Sequence, residues 1–305
     1  MLRYLLVLAA IQGPGPQTPN RPIAQPPDST TVILLGTGVP IPDPQAQGPA
    51  TAVTVGQRIF LFDAGPGVER QLTAAGLPFR DGPVTAVFLT HLHTDHTLGL
   101  PDLIFTSWVM GRRLPLRIIG PPGTKAMTNH LLAAWSEDIA IRTGANGHAI
   151  PDGYRVAVQE AEGGIVYDSA GVRITAIPVP HGDWKYAFGY RIEAPGKTVV
   201  ISGDTRPSPA LERAACGADI LIHEVYPAVR LRPEPRPGGD SWLGYMRSFH
   251  TSDRELGAIA SRAGPKLLVL YHIVRMGGTD AELLAGVKAG GFTGRVVIGK
   301  DLQRF

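Results

Sequence analysis

His91-Leu92-His93-Thr94-Asp95-His96 decides the reading of this chain. Three imidazoles and one carboxylate fall within six consecutive positions, just behind the apolar run 84–89. A nearly continuous apolar run of that length is expected for a strand buried on both faces. The four polar side chains then sit on the loop that leaves the strand. Imidazole and carboxylate are the ligand set for zinc, iron or manganese, and zinc is the first expectation for a nitrogen-rich site. On a tight loop, His91 and His93 are able to address one ion while Asp95 and His96 address a second.

Around this stretch, short apolar runs alternate with Gly/Pro turns. Residues 31–35, 52–55 and 58–62 read as antiparallel strands, and 66–75 and 124–138 have helical spacing. A second series of strands begins at 155–159. It continues through 172–179, 187–192, 198–202, 220–225, 267–271 and 295–298, with helices at 208–215, 252–263 and 280–286. Strand clusters covered by helices in both halves predict an α/β fold, a four-layered αββα sandwich in a single domain over 31–305.

The HxHxDH pattern resembles the signature of the metallo-β-lactamase superfamily, and the likeness continues in chain order. Asp63, in Phe62-Asp63-Ala64-Gly65, matches the strand-end Asp that supports the metal loop. His181 follows the strand 174–180, Asp204 sits in Gly203-Asp204-Thr205, and His272 ends Leu268-Val269-Leu270-Tyr271. The resemblance implies two Zn²⁺ ions per chain. His91, His93 and His181 would hold the first, Asp95, His96 and His272 the second, and Asp204 would bridge them. Such a pair generates hydroxide near neutral pH. Asp95 is left with two roles, ligand or partial base.

Two further features resemble the ribonuclease Z branch and its arylsulfatase and phosphodiesterase relatives. These are His223-Glu224-Val225 followed by Phe249-His250-Thr251-Ser252, and the opening Leu35-Gly36-Thr37-Gly38-Val39-Pro40. In that branch the Glu orients the His, and the His gives a proton to the leaving oxygen. Glu224 and His250 inherit those catalytic roles; the alternative is that His250 caps the helix after it. His223, His130 and His148 read as structural. Ribonuclease Z carries its tRNA-binding arm between the positions matching His181 and Asp204. Here those residues are 23 positions apart, and two strands fill the interval. No arm fits, and tRNA is not an expected partner. The resemblance covers 31–305.

The net charge of +3 is slight and its basic residues are scattered, so no nucleic-acid footprint emerges. Cys216 is the one cysteine, which excludes an intrachain disulfide and a Cys-rich metal site. Met1-Leu2-Arg3 and the apolar run 4–11 read as a signal peptide, too short to span a bilayer, and 12–30 as a Pro-rich linker. A periplasmic or secreted location is therefore expected, with the cytoplasm as the alternative.

Gly36-Thr37-Gly38 reads as a tight turn near the site, because no phosphate-loop Lys follows. Residues 230–240, rich in Pro and Gly, read as a loop overhanging the pocket. Trp242, Tyr245 and Phe249, or Trp184 and Tyr186, are candidates for an aromatic wall or for ordinary packing. Arg275 is a candidate contact for an anionic substrate. The chain is thus expected to be a dizinc hydrolase of small anionic esters, phosphodiesters or sulfate esters. A lactonase or β-lactamase-type acyl hydrolase is the alternative, and tRNA 3′ processing ranks below both. A binding protein on a degenerate site is disfavoured, because every ligand position holds a competent residue. A homodimer is expected from the family likeness alone.

Overall fold

The computed structural model describes residues 29–78, 82, 84–237 and 241–305. The apolar head and most of the linker lie outside them.

Six strands make the first sheet, in spatial order β1 (Thr30–Gly36), β2 (Ala50–Val55), β3 (Arg58–Phe62), β4 (Val84–Phe88), β5 (Leu116–Gly120) and β6 (Val156–Glu160). The second sheet runs through β7 (Gly164–Ser169), β8 (Val172–Pro178), β9 (Phe188–Ala194), β10 (Lys197–Ile201), β11 (Ile220–Val225), β12 (Leu267–Ile273) and β13 (Val296–Ile298). Both sheets are mixed. β1 to β3 pair antiparallel and β3 to β6 parallel. Likewise β7 to β10 pair antiparallel and β10 to β13 parallel. Parallel neighbours point their carboxyl ends the same way, and open α/β sheets bind ligands beyond those ends.

The helices are α1 (Val68–Ala74), α2 (Thr94–Thr97), α3 (Leu100–Val109), α4 (Thr124–Ala134), α5 (Ser136–Thr143), α6 (Pro209–Ala215), α7 (Trp242–Phe249), α8 (Asp253–Ala263) and α9 (Asp280–Ala289). Three apolar layers hold the sandwich together. Phe60, Phe62, Phe88, Tyr190 and Tyr271 lie between the two sheets. Val68, Leu72, Leu100 and Leu103 of α1 and α3 pack on the outer face of the first sheet. Leu211, Leu256, Ala260 and Leu283 of α6, α8 and α9 cover the second. This is the expected αββα single domain. β4 is buried on both faces, with Val87 among the helices and Phe88 among the aromatic rings.

The structure corrects several expectations. Residues 155–159 do not open the second sheet: as β6 they close the first, parallel to β5, because α4 and α5 return the chain to that edge. The helix expected over 124–138 is two helices, broken at Trp135 (φ −106°, ψ 22°), whose backbone leaves the helical region. β5, β7, α3 and α7 carry no expectation from sequence. Their apolar residues are interrupted or placed by contacts with distant elements.

Phe88 is fully buried and stacks on Phe62 at 5.1 Å, with Tyr190 edge-on at 5.7 Å. Phe88→Ala is expected to cost ~3–5 kcal/mol of stability, read as a lowered urea midpoint with unchanged slope. A loss below ~1 kcal/mol would show that the inter-sheet layer repacks freely.

Candidate metal centre

The loop after β4 is held by one buried carboxylate at the end of β3. Asp63 takes the left-handed backbone region (φ 60°), uncommon for a non-glycine residue, and is 3% exposed. Its Oδ1 accepts the Thr90 N–H at 2.8 Å, and its Oδ2 accepts the Thr90 hydroxyl at 2.9 Å. His96 Nδ1 also meets Oδ2, at 2.8 Å. With its proton given to Asp63, the Thr90 hydroxyl is left as acceptor for His91 Nδ1 at 2.9 Å. These partners place the ring protons of His91 and His96 on Nδ1 and leave Nε2 as a lone pair. His181 is oriented in the same way by the Phe249 carbonyl, 2.8 Å from its Nδ1.

The sequence-predicted ligands converge. His91, His93, His181 and Asp204 form one group able to hold a metal ion, and Asp95, His96 and His272 form a second. Asp204 recurs in a third with His250 and His272, so it stands between the first two. Neighbouring ligand atoms are 2.9 to 3.9 Å apart. Zinc 2.0–2.2 Å from each ligand would set tetrahedral ligand atoms about 3.3–3.6 Å apart. The buried atoms His96 Nε2, Asp204 Oδ1 and His272 Nδ1 have no hydrogen-bond partner among the described residues. Buried polar atoms are rarely left so, and a cation among them satisfies all three. The donor set therefore fits metal ions.

Electrostatics agree with that fit at His91 and His181. Burial, and then the charge on His96, hold His91 well below the usual histidine range. Burial likewise takes His181 down to about 4, so both stay neutral, the form that ligates. His96 goes the other way. Burial opposes its charge, but Asp204 and Asp63 outweigh it and raise the pKa well above the usual value. Asp204 feels burial upward, yet His272 and His96 hold it well below the carboxylate range.

His93 has a different neighbour. The Trp184 indole, a donor only, gives its N–H to His93 Nε2 at 2.8 Å, while His93 Nδ1 faces His91 and His181. A ring ligating through Nδ1 would carry its proton on Nε2, and this hydrogen bond would then be lost.

Glu224 and His250 adjoin the cluster. Glu224 is fully buried, and its Oε1 accepts the Thr205 and Thr251 N–H groups at 3.2 and 3.0 Å. Its Oε2 is left facing His250 Nδ1 at 3.3 Å, an ion-pair contact longer than a strong hydrogen bond. Burial disfavours a charged His250, but the Glu224 carboxylate outweighs it and raises the pKa above the ordinary value. His250 does not cap the next helix. It ends α7, and Ser252 caps α8 in a capping box with Glu255.

The remaining candidates divide. Trp184 and Phe249 flank His93 and His181, with ring centroids 4.9 and 5.0 Å away. Tyr186 instead reaches Glu162 at the surface. His223 is buried against the Glu224 carbonyl and lowered to about 4 by burial, while His130 and His148 are exposed. Arg275 is paired with Asp280 at 2.7 Å. Gly36-Thr37-Gly38 is a turn whose Thr37 gives its N–H and hydroxyl to Asp301 Oδ1. Sequence reasoning missed Thr90, Thr205, Thr251 and Asp301. Each acts through a partner far along the chain, and the positions of Thr90, Thr205 and Thr251 beside His91, Asp204 and His250 were the signal on offer.

Fold and site together define a metal-dependent hydrolase. The profile of the β-lactamase superfamily domain matches residues 58–273, and the chain belongs to that superfamily, whose fold usually binds zinc. It is 38% identical over 279 residues to a protein named ribonuclease Z from Mycobacterium bovis (strain BCG / Pasteur 1173P2), covering 90% of this chain and 96% of that one. Among solved structures it is similar to the metallo-β-lactamase fold protein YhfI from Bacillus subtilis (TM-score 0.67, 22% identity, covering 91% and 100% of the two chains). It is also similar to zinc-bound PqqB from Methylobacterium extorquens (TM-score 0.60, 21% identity, covering 90% and 99%).

Asp63→Ala removes the anchor of Thr90 and His96 without replacing an expected ligand. Zinc affinity should fall ~10–100-fold in a competition with a chromophoric chelator. Unchanged affinity would mean that the loop holds its shape without Asp63.

Proposed function

We propose that this chain is a phosphodiesterase that works with two zinc ions, held by His91, His93 and His181 and by Asp95, His96 and His272, with Asp204 between them. The observation that carries the reading is the buried Glu224–His250 pair, 3.3 Å apart, with His250 grouped with Asp204 and His272. A proton donor is needed where an alkoxide departs for good. The opening of a lactone needs it less, because the leaving oxygen stays tethered.

When bound, the metal pair supplies water activation near neutral pH and neutralises charge building on the phosphoryl oxygens. The chain's own residues do the rest. Glu224 faces His250 Nδ1 and favours its charged form, so the imidazolium gives up a proton to the departing oxygen. Asp63, through Thr90, keeps His91 and His96 in the ligating tautomer. Phe249 and Trp184 wall the His181 and His93 flank against water. Asp95, with Oδ2 3.2 Å from His272 Nε2 and 3.5 Å from His96 Nε2, acts as a ligand rather than a base.

The name of the relatives at 38% identity supports a second reading, cleavage of RNA. Against an RNA processed through an arm stands the stretch from His181 to Asp204, which β9 and β10 occupy. A small diester is therefore the preferred substrate. Export is proposed from the composition of the head segment alone, and homodimerisation from the family likeness alone.

The test compares kcat/KM of the zinc-loaded protein for an alkyl phosphodiester, an aryl phosphodiester, an aryl sulfate, a lactone and a precursor tRNA. Preference for the diesters, abolished in Asp204→Ala, supports the reading. Preference for the lactone would move the activity to acyl hydrolysis, and preference for the precursor tRNA would favour RNA processing. His250→Ala should cost ~10²–10⁴-fold with the alkyl leaving group and far less with 4-nitrophenoxide, which departs unprotonated. Equal losses on both would remove the acid role.

A further inference from the structure

In the first metal group, one histidine meets a donor where the other two meet acceptors. His91 and His181 each turn Nδ1 to an oxygen, the Thr90 hydroxyl and the Phe249 carbonyl, which is the support a ligating imidazole ordinarily has. At His93 the far nitrogen, Nε2, receives the Trp184 indole N–H at 2.8 Å, with the two rings perpendicular and their centroids 4.9 Å apart. An indole nitrogen only donates, so Nε2 keeps its lone pair and the proton of the neutral ring sits on Nδ1. That Nδ1 points at His91 Nε2 and His181 Nε2, 2.9 and 3.2 Å away. The proton of His93 is therefore on the nitrogen that faces the rest of its group.

The indole is aimed by a turn whose backbone is fixed. Trp184 gives its own backbone N–H to the His181 carbonyl at 3.0 Å, closing the turn on a ligand of the same group. Gly182 inside the turn gives its N–H to the Ser248 carbonyl at 2.9 Å. Its positive φ of 51° and missing side chain let it lie against the Phe249 ring, which a Cβ would meet at 2.0 Å. The freedom left is in the side-chain torsions of Trp184, whose ring is half-buried against the helical layer of the second sheet. Ligation of His93 through Nδ1 moves the ring proton to Nε2 and leaves the ring neutral. That new N–H would then face the indole N–H, donor against donor, so the two arrangements exclude one another.

We propose that Trp184 is a positioning residue that sets the affinity of the first metal group, holding His93 in the tautomer that does not ligate and releasing it when the indole turns about its side-chain torsions. The inference rests on the assignment of the metal ligands and not on the substrate. Zinc uptake by His91, His93 and His181 is then coupled to the orientation of one indole and is weaker than their donor set alone would make it. The hydrogen bond involves no ligand of the Asp95, His96 and His272 group, so the affinity of that group is independent of Trp184.

Zinc titration of the full chain, labelled with ¹⁵N at its tryptophan indoles, tests the proposal. The chain has four tryptophans, and the cross-peak missing from Trp184→Phe is that of Trp184. Should that variant not fold, Trp135→Phe and Trp242→Phe assign two of the others, and the slow solvent exchange of the fully buried Trp108 assigns the third. In the wild type the Trp184 indole N–H should shift upfield and exchange faster with solvent as zinc is taken up, while that of Trp108 stays in place. In competition with a chromophoric chelator, Trp184→Phe should bind one of two zinc ions about three- to tenfold more tightly than the wild type, the scale of one hydrogen bond, and the other equally. Trp242→Phe should change neither affinity. Zinc uptake with an unmoved Trp184 cross-peak would overturn the positioning role alone. So would a Trp184→Phe variant that binds zinc equally or more weakly, which is the behaviour of a packing residue or of a support for His93. A wild type that takes up no zinc would overturn the assignment of the metal ligands, and this role with it.

Discussion

The buried carboxylate of Asp63 is the constraint from which the metal centre follows. It is nearly out of contact with solvent, at 3% exposure, and every bond it makes goes to the loop after the neighbouring strand. Burying a carboxylate is expensive unless its oxygens are satisfied, so the loop has one low-energy shape. That shape sets the tautomers of His91 and His96, one in each metal-binding group. Asp63 in turn depends on the parallel pairing of β3 and β4, which brings its N–H to the Phe88 carbonyl at 2.8 Å.

The two sheets divide the labour. The antiparallel halves build the outer parts of the sandwich, while the parallel halves bring their carboxyl ends to one edge. Asp63 and the HxHxDH loop follow β3 and β4; Asp204, Glu224 and His272 follow or end β10, β11 and β12. Asp63 and His272 both have positive φ, as does Gly203 beside Asp204. Gly203 has a plain steric reason: a Cβ there would stand 2.5 Å from the Phe188 carbonyl and 3.0 Å from the Thr90 side chain. The aromatic layer between the sheets makes such strain affordable, since strained residues persist only where packing over-determines them.

Much of this was legible because the chemistry is concentrated. His91, His93, Asp95 and His96 are contiguous, and His181, Asp204 and His272 each follow an apolar run that reads as a strand. The strands 58–62 and 220–225 were legible to the residue, their runs being ended by polar or turn residues. The assignment of 155–159 to the wrong sheet has the opposite origin. β6 is a half-exposed edge strand, and nothing in its own residues says which sheet it closes. Trp135, which divides α4 from α5, is an ordinary helix residue by propensity.

The sequence by itself determined the ligand types, their order and the strand ends that carry them, and hence a metal-dependent hydrolase in a layered α/β fold. Those are local properties, readable from spacing and from the donor chemistry of each side chain. Only the tertiary structure decided how the ligands are held and what surrounds them. The Thr90 contact with Asp63, the Glu224–His250 contact and the Trp184 indole on His93 join residues 26 to 91 positions apart. Such contacts come from strand register and helix packing, which depend on the whole folded chain and leave no mark in the spacing of the residues they join.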